Sequence, residues 1–161
     1  MTTADPRRPG ARPYFNHVAL SVPRDLLDEE GRARYLDFFS QVFGWAEMPT
    51  MTIDRERLVL QAYTYEQFVY LVGSDEPMRC GSEEHFGMSV ATVEELDEMY
   101  DRALRYRDEF DDRVEIWARE VEDFDPITLT SFYVKHLTPM RIEVQHYDVP
   151  EDARAFFYGD S

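Results

Sequence analysis

The chain contains the stretch His17-Val18-Ala19-Leu20-Ser21-Val22, which recurs 68 residues later as His85-Phe86-Gly87-Met88-Ser89-Val90. The His, Ser and Val positions coincide, and the other positions pair residues of similar size or apolar character. Because a repeat of this kind marks one supersecondary unit used more than once, the sequence predicts two copies of one module. A chain of 161 residues is long enough for one domain built from both copies.

Each copy continues into an amphipathic helix and then into strands. The first predicted helix spans about 32–43, where the apolar residues fall at helical spacing and Gly44 ends the pattern. The second predicted helix begins at Thr92, and Glu95 three residues later completes a capping box. Strands are predicted at 46–53, 57–63 and 68–72 after the first helix, and at 114–121, 128–136 and 141–147 after the second. The predicted fold class is therefore α+β, with two repeated βαβββ modules forming a curled mixed sheet around a cavity.

The domain boundaries follow from this repeat. We expect a mobile N-terminal arm at 1–13, a paired βαβββ domain at 14–148 and a C-terminal tail at 149–161. Module one covers about 14–77 and module two about 84–148. Neither module has enough core alone, so the two should pack together. The tail contains three aromatic residues, and we expect it to dock on the body of the domain or on a second subunit.

The charge balance excludes some classes of partner. The chain has 33 acidic and 17 basic residues, which gives a net charge of −16. Nucleic acids and anionic membrane surfaces require an excess of Lys and Arg, so neither is an expected partner. The charge permits a metal ion or a cationic ligand, and it also serves solubility alone. With one cysteine, Cys80, and no apolar run long enough to span a membrane, we expect a soluble, cytoplasmic protein.

The alternation of side chains along a strand separates the histidines from the apolar residues. In both copies of the repeat the apolar residues share one face, which should pack on the helices. His17 and His85 lie on the opposite face beside small residues. On the last predicted strand, Glu143 also lies on the face opposite to its apolar neighbours. Polar groups on an inward sheet face are costly unless they meet water, a ligand or a metal ion.

Two imidazoles and one carboxylate are a ligand set for a divalent metal ion. They suit Fe, Mn, Ni, Co or Zn, and three protein ligands leave positions open for water or substrate. We therefore predict one divalent metal ion held by His17, His85 and Glu143. The alternative is that these are packed or surface residues, as most single histidines are.

Other polar and aromatic residues have weaker indications of function. Tyr133 could donate a hydrogen bond to a bound oxyanion or simply pack among aromatic residues, and Gln145 could contact a ligand or line a solvated cavity. We expect His136 at the surface in a turn, and His146 and Trp117 in the core.

The residues quoted above resemble the vicinal oxygen chelate superfamily, which includes glyoxalase I, fosfomycin-resistance proteins, bleomycin-resistance proteins and extradiol dioxygenases. The resemblance covers about 14–148. It rests on the histidine repeat, on the aromatic helix segment 35–45, and on Phe132-Tyr133 leading to Ile142-Glu143-Val144. It implies the same metal ligands, and it implies a homodimer. The segment 68–72 lacks the fourth ligand of glyoxalase I, so three ligands look more like the fosfomycin-resistance or dioxygenase pattern.

The resemblance implies a metal-dependent, glyoxalase- or dioxygenase-like enzyme. Its substrate would be a small molecule that chelates the metal through neighbouring oxygens, and the reaction would be of the lyase, isomerase or dioxygenase type. The alternative function is a metal-free, bleomycin-resistance-like protein that sequesters a small, cationic ligand. A third reading is an interaction module with a vestigial or structural metal site. The metal site would lie within one chain, or it would combine His17 of one chain with His85 and Glu143 of another.

Overall fold

The first half of the chain forms a four-stranded mixed sheet with one helix packed against it. The computed structural model describes residues 14–158, so the expected arm at 1–13 lies outside the described residues. The elements are β1 (His17–Pro23), a single-turn 3₁₀ helix (Arg24–Leu27), α1 (Glu29–Phe43), β2 (Ala46–Glu47), β3 (Arg57–Gln61) and β4 (Phe68–Ser74). The strand order is β1-β4-β3-β2, in which β1 and β4 are parallel and the other pairs are antiparallel.

The second half repeats this arrangement. Its elements are β5 (His85–Ser89), α2 (Val93–Glu109), β6 (Glu115–Ile116), β7 (Glu120–Asp123), β8 (Thr128–Lys135) and β9 (Arg141–Asp148). The strand order is β5-β9-β8-β6, with β7 also paired to β8, and β5 and β9 are parallel as β1 and β4 are. The prediction of an α+β fold with a repeated strand-helix-strands module is confirmed. The strands form two mixed sheets of four and five strands.

Local capping contacts explain where both helices begin and where α1 ends. The Asp28 side chain accepts a hydrogen bond from the Gly31 N–H, so α1 begins at Glu29, three residues before the predicted start. Gly44 ends α1 at φ 72°, in the left-handed region that glycine adopts without strain. The Thr92 hydroxyl caps α2 by accepting from the Glu95 N–H, as predicted.

The predicted strands differ from the observed ones mainly in the region 114–121. Instead of one strand there are two short ones, β6 and β7, which pair with different parts of β8. Between them the Trp117 N–H donates to the Tyr133 carbonyl, outside the regular ladder. The predicted strand 46–53 is also shorter: Ala46–Glu47 pairs with β3 as a strand, and Ile53 forms an isolated bridge to Arg57.

The tail after β9 begins with a single-turn 3₁₀ helix (Glu151–Ala153) and α3 (Arg154–Tyr158). Three aromatic side chains of α3 are exposed: Phe156, Phe157 and Tyr158. Over the residues that the structure describes, none of the helices combines the length and apolar character needed to cross a membrane.

The aromatic side chains of α1 join the two halves of the chain. Phe38 is fully buried and makes edge-to-face contacts with Tyr106 of α2 and with His136, which follows β8. The Tyr35 hydroxyl donates a hydrogen bond to the Leu137 carbonyl at 2.9 Å. Both sheets contribute their apolar faces to the same core cluster as the helices. The opposite faces of the sheets, which carry the candidate ligands, are therefore the ones not used by this core.

His136 is buried, with 5 % of its surface exposed, whereas its position in a turn predicted a surface residue. Its Nε2 is 3.5 Å from the Asp111 carboxylate. Burial lowers the pKa of His136 below its ordinary value of 6.5, and Arg113 and Arg34 act in the same direction, while Asp111 opposes them. At pH values between the folded-state pKa and 6.5, the unfolded chain binds a proton that the folded chain does not.

The free energy of unfolding should therefore fall as the pH drops below 6.5, since protonation favours the unfolded chain. We expect His136→Gln to flatten this part of the curve, as measured by urea unfolding from about pH 7.5 to about pH 5. His146→Gln is the matched control, because it removes an imidazole that is only half-buried and lies outside the candidate metal centre. Equal slopes for the native protein and His136→Gln would contradict the prediction.

Candidate metal centre

Strands β5 and β9 place His85 and Glu143 side by side. In their parallel pairing Gly87 is opposite Glu143. The Nε2 atom of His85 is 3.3 Å from Oε2 of Glu143, which is a buried carboxylate. A Cβ atom at Gly87 would lie 3.6 Å from the same oxygen, so the glycine leaves space beside the carboxylate.

The second ring nitrogen of His85 determines what its Nε2 can do. Nδ1 is 2.8 Å from the Glu83 carbonyl oxygen, which only accepts, so Nδ1 carries the proton. If Nε2 carries no proton, its lone pair faces the lone pairs of the Glu143 oxygen, and the two repel each other. A proton on Nε2 or a metal ion between the two atoms removes this repulsion. Nitrogen and oxygen ligands lie about 2.0–2.2 Å from a zinc-type ion, so ligands of one ion are about 3 Å apart, as these two atoms are.

His17 has the same arrangement at the equivalent place in the first half. Its Nδ1 is 2.8 Å from the Asn16 amide oxygen, and its ring stacks on Phe68 with the centroids 4.9 Å apart. The amide oxygen also only accepts, so Nδ1 is the donor in this contact and Nε2 takes no part in it. A hydrogen bond from the non-ligating ring N–H to an oxygen is the usual support for a metal-binding histidine. Both histidines of the repeat therefore fit the role of metal ligands.

The structure brings together only two of the three predicted ligands. Within residues 14–158, no group of three His, Cys, Asp or Glu side chains is close enough to hold a metal ion. His17 is exposed on the first sheet, and Ala19 beside it is exposed as well. Gly87 and Ser89 are exposed next to His85 on the second sheet. Among the described residues, His85 and Glu143 form a close pair, and His17 is not part of it.

Tyr133 contacts both residues of the pair. Its ring makes an edge-on contact with His85, with the centroids 5.3 Å apart, and Tyr133 is opposite Glu143 in the antiparallel pairing of β8 and β9. Burial raises the pKa of Tyr133 to about 12, and the neighbouring Glu143 carboxylate acts in the same direction. The hydroxyl is therefore protonated at neutral pH and remains a donor. Nearby, Gln145 accepts a hydrogen bond from the Tyr147 hydroxyl at 3.4 Å.

The sequence did not identify two further residues on this face. The guanidinium carbon of Arg141 lies 4.7 Å from the centre of the Tyr133 ring and 5.1 Å from the Trp117 ring. Trp117, which was expected in the core, is only half-buried. The alternation along β9 placed Arg141 on the same face as Glu143, but the contact with Trp117 depends on the break between β6 and β7.

No family profile and no curated protein matches the sequence. Solved structures do match the fold. A glyoxalase/bleomycin resistance protein/dioxygenase from Alicyclobacillus acidocaldarius is 18 % identical at a TM-score of 0.58, over 88 % of this chain and 94 % of that one. A second match is a mutant of the fosfomycin resistance protein FosX from Listeria monocytogenes, complexed with Mn(II) and 1S,2S-dihydroxypropylphosphonic acid. It is 14 % identical at a TM-score of 0.58, over 88 % of this chain and 95 % of that one.

Lactoylglutathione lyase from Agrobacterium tumefaciens is 15 % identical at a TM-score of 0.56, over 87 % of this chain and 96 % of that one. At these identities the likeness concerns the fold. These proteins share two copies of a strand-helix-strands module, which this chain also has. The chain has the fold of the vicinal oxygen chelate superfamily.

Proposed function

We propose that this protein is a metal-dependent enzyme of the glyoxalase or dioxygenase type, active on a small molecule. The observation that carries the proposal is the pair formed by His85 and Glu143, whose facing atoms need a cation between them. The equivalent histidine of the repeat, His17, also has its Nδ1 in a contact with an oxygen, which leaves Nε2 available to a metal ion. Two imidazoles and one carboxylate suit Fe, Mn, Ni, Co or Zn in the divalent state.

The proposed centre is shared between two copies of the chain. His17 of one copy would join His85 and Glu143 of the other, since one chain does not bring the three together. The open sheet faces support this, because their histidines and small residues are exposed rather than covered by the chain's own core. In a twofold-symmetric homodimer the same contact occurs twice, so each dimer would have two equivalent centres.

A divalent ion at this place would act as a Lewis acid that polarises an oxygen of the substrate, or activate O₂ if it is iron. The residues of the chain have their own roles. Glu143 is a buried carboxyl group opposite Tyr133, whose hydroxyl stays protonated because its pKa is raised. That hydroxyl is a donor for negative charge that develops on a substrate oxygen. Gln145 lies on the same face and is a candidate contact for the substrate.

The proposed substrate carries two neighbouring oxygens. FosX, which has the same fold, was solved with Mn(II) and a phosphonic acid that bears two hydroxyls on adjacent carbons. Three protein ligands leave positions that such a pair of oxygens can fill. A net charge of −16 does not suit nucleic acid or an anionic membrane as a partner, so the proposed partner is a small-molecule substrate. We propose a cytoplasmic location, because the single cysteine, Cys80, fits a reducing compartment.

Elemental analysis of untagged protein, loaded anaerobically with each candidate metal in turn, tests the proposal. We expect about one ion per chain, and a loss of at least about 100-fold in metal affinity for His17→Ala and for Glu143→Gln. The matched controls are His146→Gln and Asp148→Asn, which change the same residue types on the other face of β9 and should keep the metal.

Absence of metal after anaerobic loading would contradict the metalloenzyme. The alternative is then a metal-free binding protein that sequesters a small ligand on the same sheet faces. One observation favours it, because Glu143 already has the His85 ring as a partner within the chain, at 3.3 Å.

A further inference from the structure

Arg141 lies next to the proposed metal centre, but the centre gives this buried, positively charged side chain no role. It precedes Glu143 by two residues on β9 and therefore shares its face of the sheet. Only 12 % of the Arg141 side chain is exposed. Its guanidinium lies against the rings of Tyr133 and Trp117, at 4.7 Å and 5.1 Å, so the side chain is held by aromatic contacts.

The hydrogen-bond donors of Arg141 lack a strong acceptor. Its Nε is buried and has no hydrogen-bond partner among residues 14–158. Its Nη2 is 3.4 Å from a carboxylate oxygen of Glu83, whose side chain is 88 % exposed. An ion pair this long and this exposed contributes little to stability and is easily displaced. A guanidinium removed from water normally has a close, well-oriented acceptor, and this one has none in a chain of net charge −16.

We propose that Arg141 binds a carboxylate group of the substrate. This inference rests on the proposed function and narrows its substrate class to small carboxylic acids with two neighbouring oxygens. The planar guanidinium fork matches a carboxylate, which would replace Glu83 at the terminal nitrogens. Residues two apart on a strand are separated by about 7 Å, so the carboxylate would lie a few bonds from oxygens bound near Glu143. A cationic ligand would instead be repelled by Arg141.

The test uses benzoate as the probe, because it carries a carboxylate and no neighbouring hydroxyl or carbonyl group, and the protein is free of metal. Benzamide is its uncharged counterpart. Binding is followed in the full-length, metal-free protein by the NMR shifts of the β9 backbone amides, a signal that the Arg141 variants keep. We expect benzoate to bind at least about 10-fold more tightly than benzamide. Arg141→Gln should remove that difference, and Arg141→Lys, which keeps the charge but not the fork, should keep part of it.

Arg105→Gln is the matched control, because it removes the same charge from an exposed position on α2 and should leave benzoate binding unchanged. Equal binding of benzoate and benzamide, or benzoate binding that survives Arg141→Gln, would overturn the proposal. Inorganic phosphate binding more tightly than benzoate through Arg141 would overturn the carboxylate assignment. Metal content is measured separately on the same variants. Failure of the metal site would leave the benzoate result intact, and failure of the carboxylate site would leave the metal content intact.

Discussion

The His17→Ala and Glu143→Gln variants should restore a metal centre when they are combined in one dimer, although neither binds metal alone. In a shared centre, the His17→Ala chain still provides His85 and Glu143, and the Glu143→Gln chain still provides His17. One of the two centres of the mixed dimer is then complete, and the other lacks two ligands. We expect about one ion per mixed dimer, against about two for the native dimer.

The measurement needs a pure mixed dimer. The two variants are co-expressed with different affinity tags and purified through both tags in turn, and the metal is then measured by elemental analysis. The control is a dimer of two differently tagged His17→Ala chains, which should stay empty. An empty mixed dimer would contradict the shared centre, since a centre confined to one chain is damaged in both variants.

The alternation of residues on three strands was sufficient to find the candidate ligands. His17 and His85 occupy the same position of a repeat, and the period of two along β9 places Glu143 opposite the apolar face. These are local properties of the chain, so they can be predicted from the sequence. The structure adds the Nδ1 contacts of both histidines, which leave Nε2 as the nitrogen available to a metal ion.

The separation of His17 from the other two residues could not be predicted in the same way. It depends on how the two sheets are arranged around the helices, and that arrangement is determined by long-range packing. Phe38 of α1 meets Tyr106 of α2 and His136 after β8, and these contacts span about 70 to 100 residues of sequence. The burial of His136 in this contact also contradicted the expectation from its turn sequence.

The environment of Trp117 is a second feature that could not be predicted from the local sequence. The segment 114–121 has the composition of one strand, and a core position for Trp117 follows from that pattern. In the structure β6 ends at Ile116, and Trp117 lies over Arg141 on the candidate site's face. The break arises because one end of β8 pairs with β6 and the other end pairs with β7. It therefore depends on β8, which the local sequence of 114–121 does not include.

Phe38→Ala should be among the most destabilising single substitutions in this chain. The side chain is fully buried, and its ring contacts four other rings: Phe39, Phe43, Tyr106 and His136. Truncation removes these edge-to-face contacts and leaves a cavity at the junction of the two halves. The expected loss in free energy of unfolding is about 3–5 kcal/mol, measured by urea denaturation.

Two further variants test whether the loss of stability comes from the contacts of Phe38 between the two halves of the chain or from the loss of any phenylalanine ring. Phe124→Ala changes an exposed phenylalanine in the loop between β7 and β8 and should alter the free energy of unfolding by less than about 1 kcal/mol. Phe38→Leu keeps most of the buried volume but loses the aromatic contacts, so its effect should lie between the two. A loss for Phe38→Ala no larger than that for Phe124→Ala would mean that the two halves are held together elsewhere. The positions of His17 and His85 would then not be fixed by this helix contact.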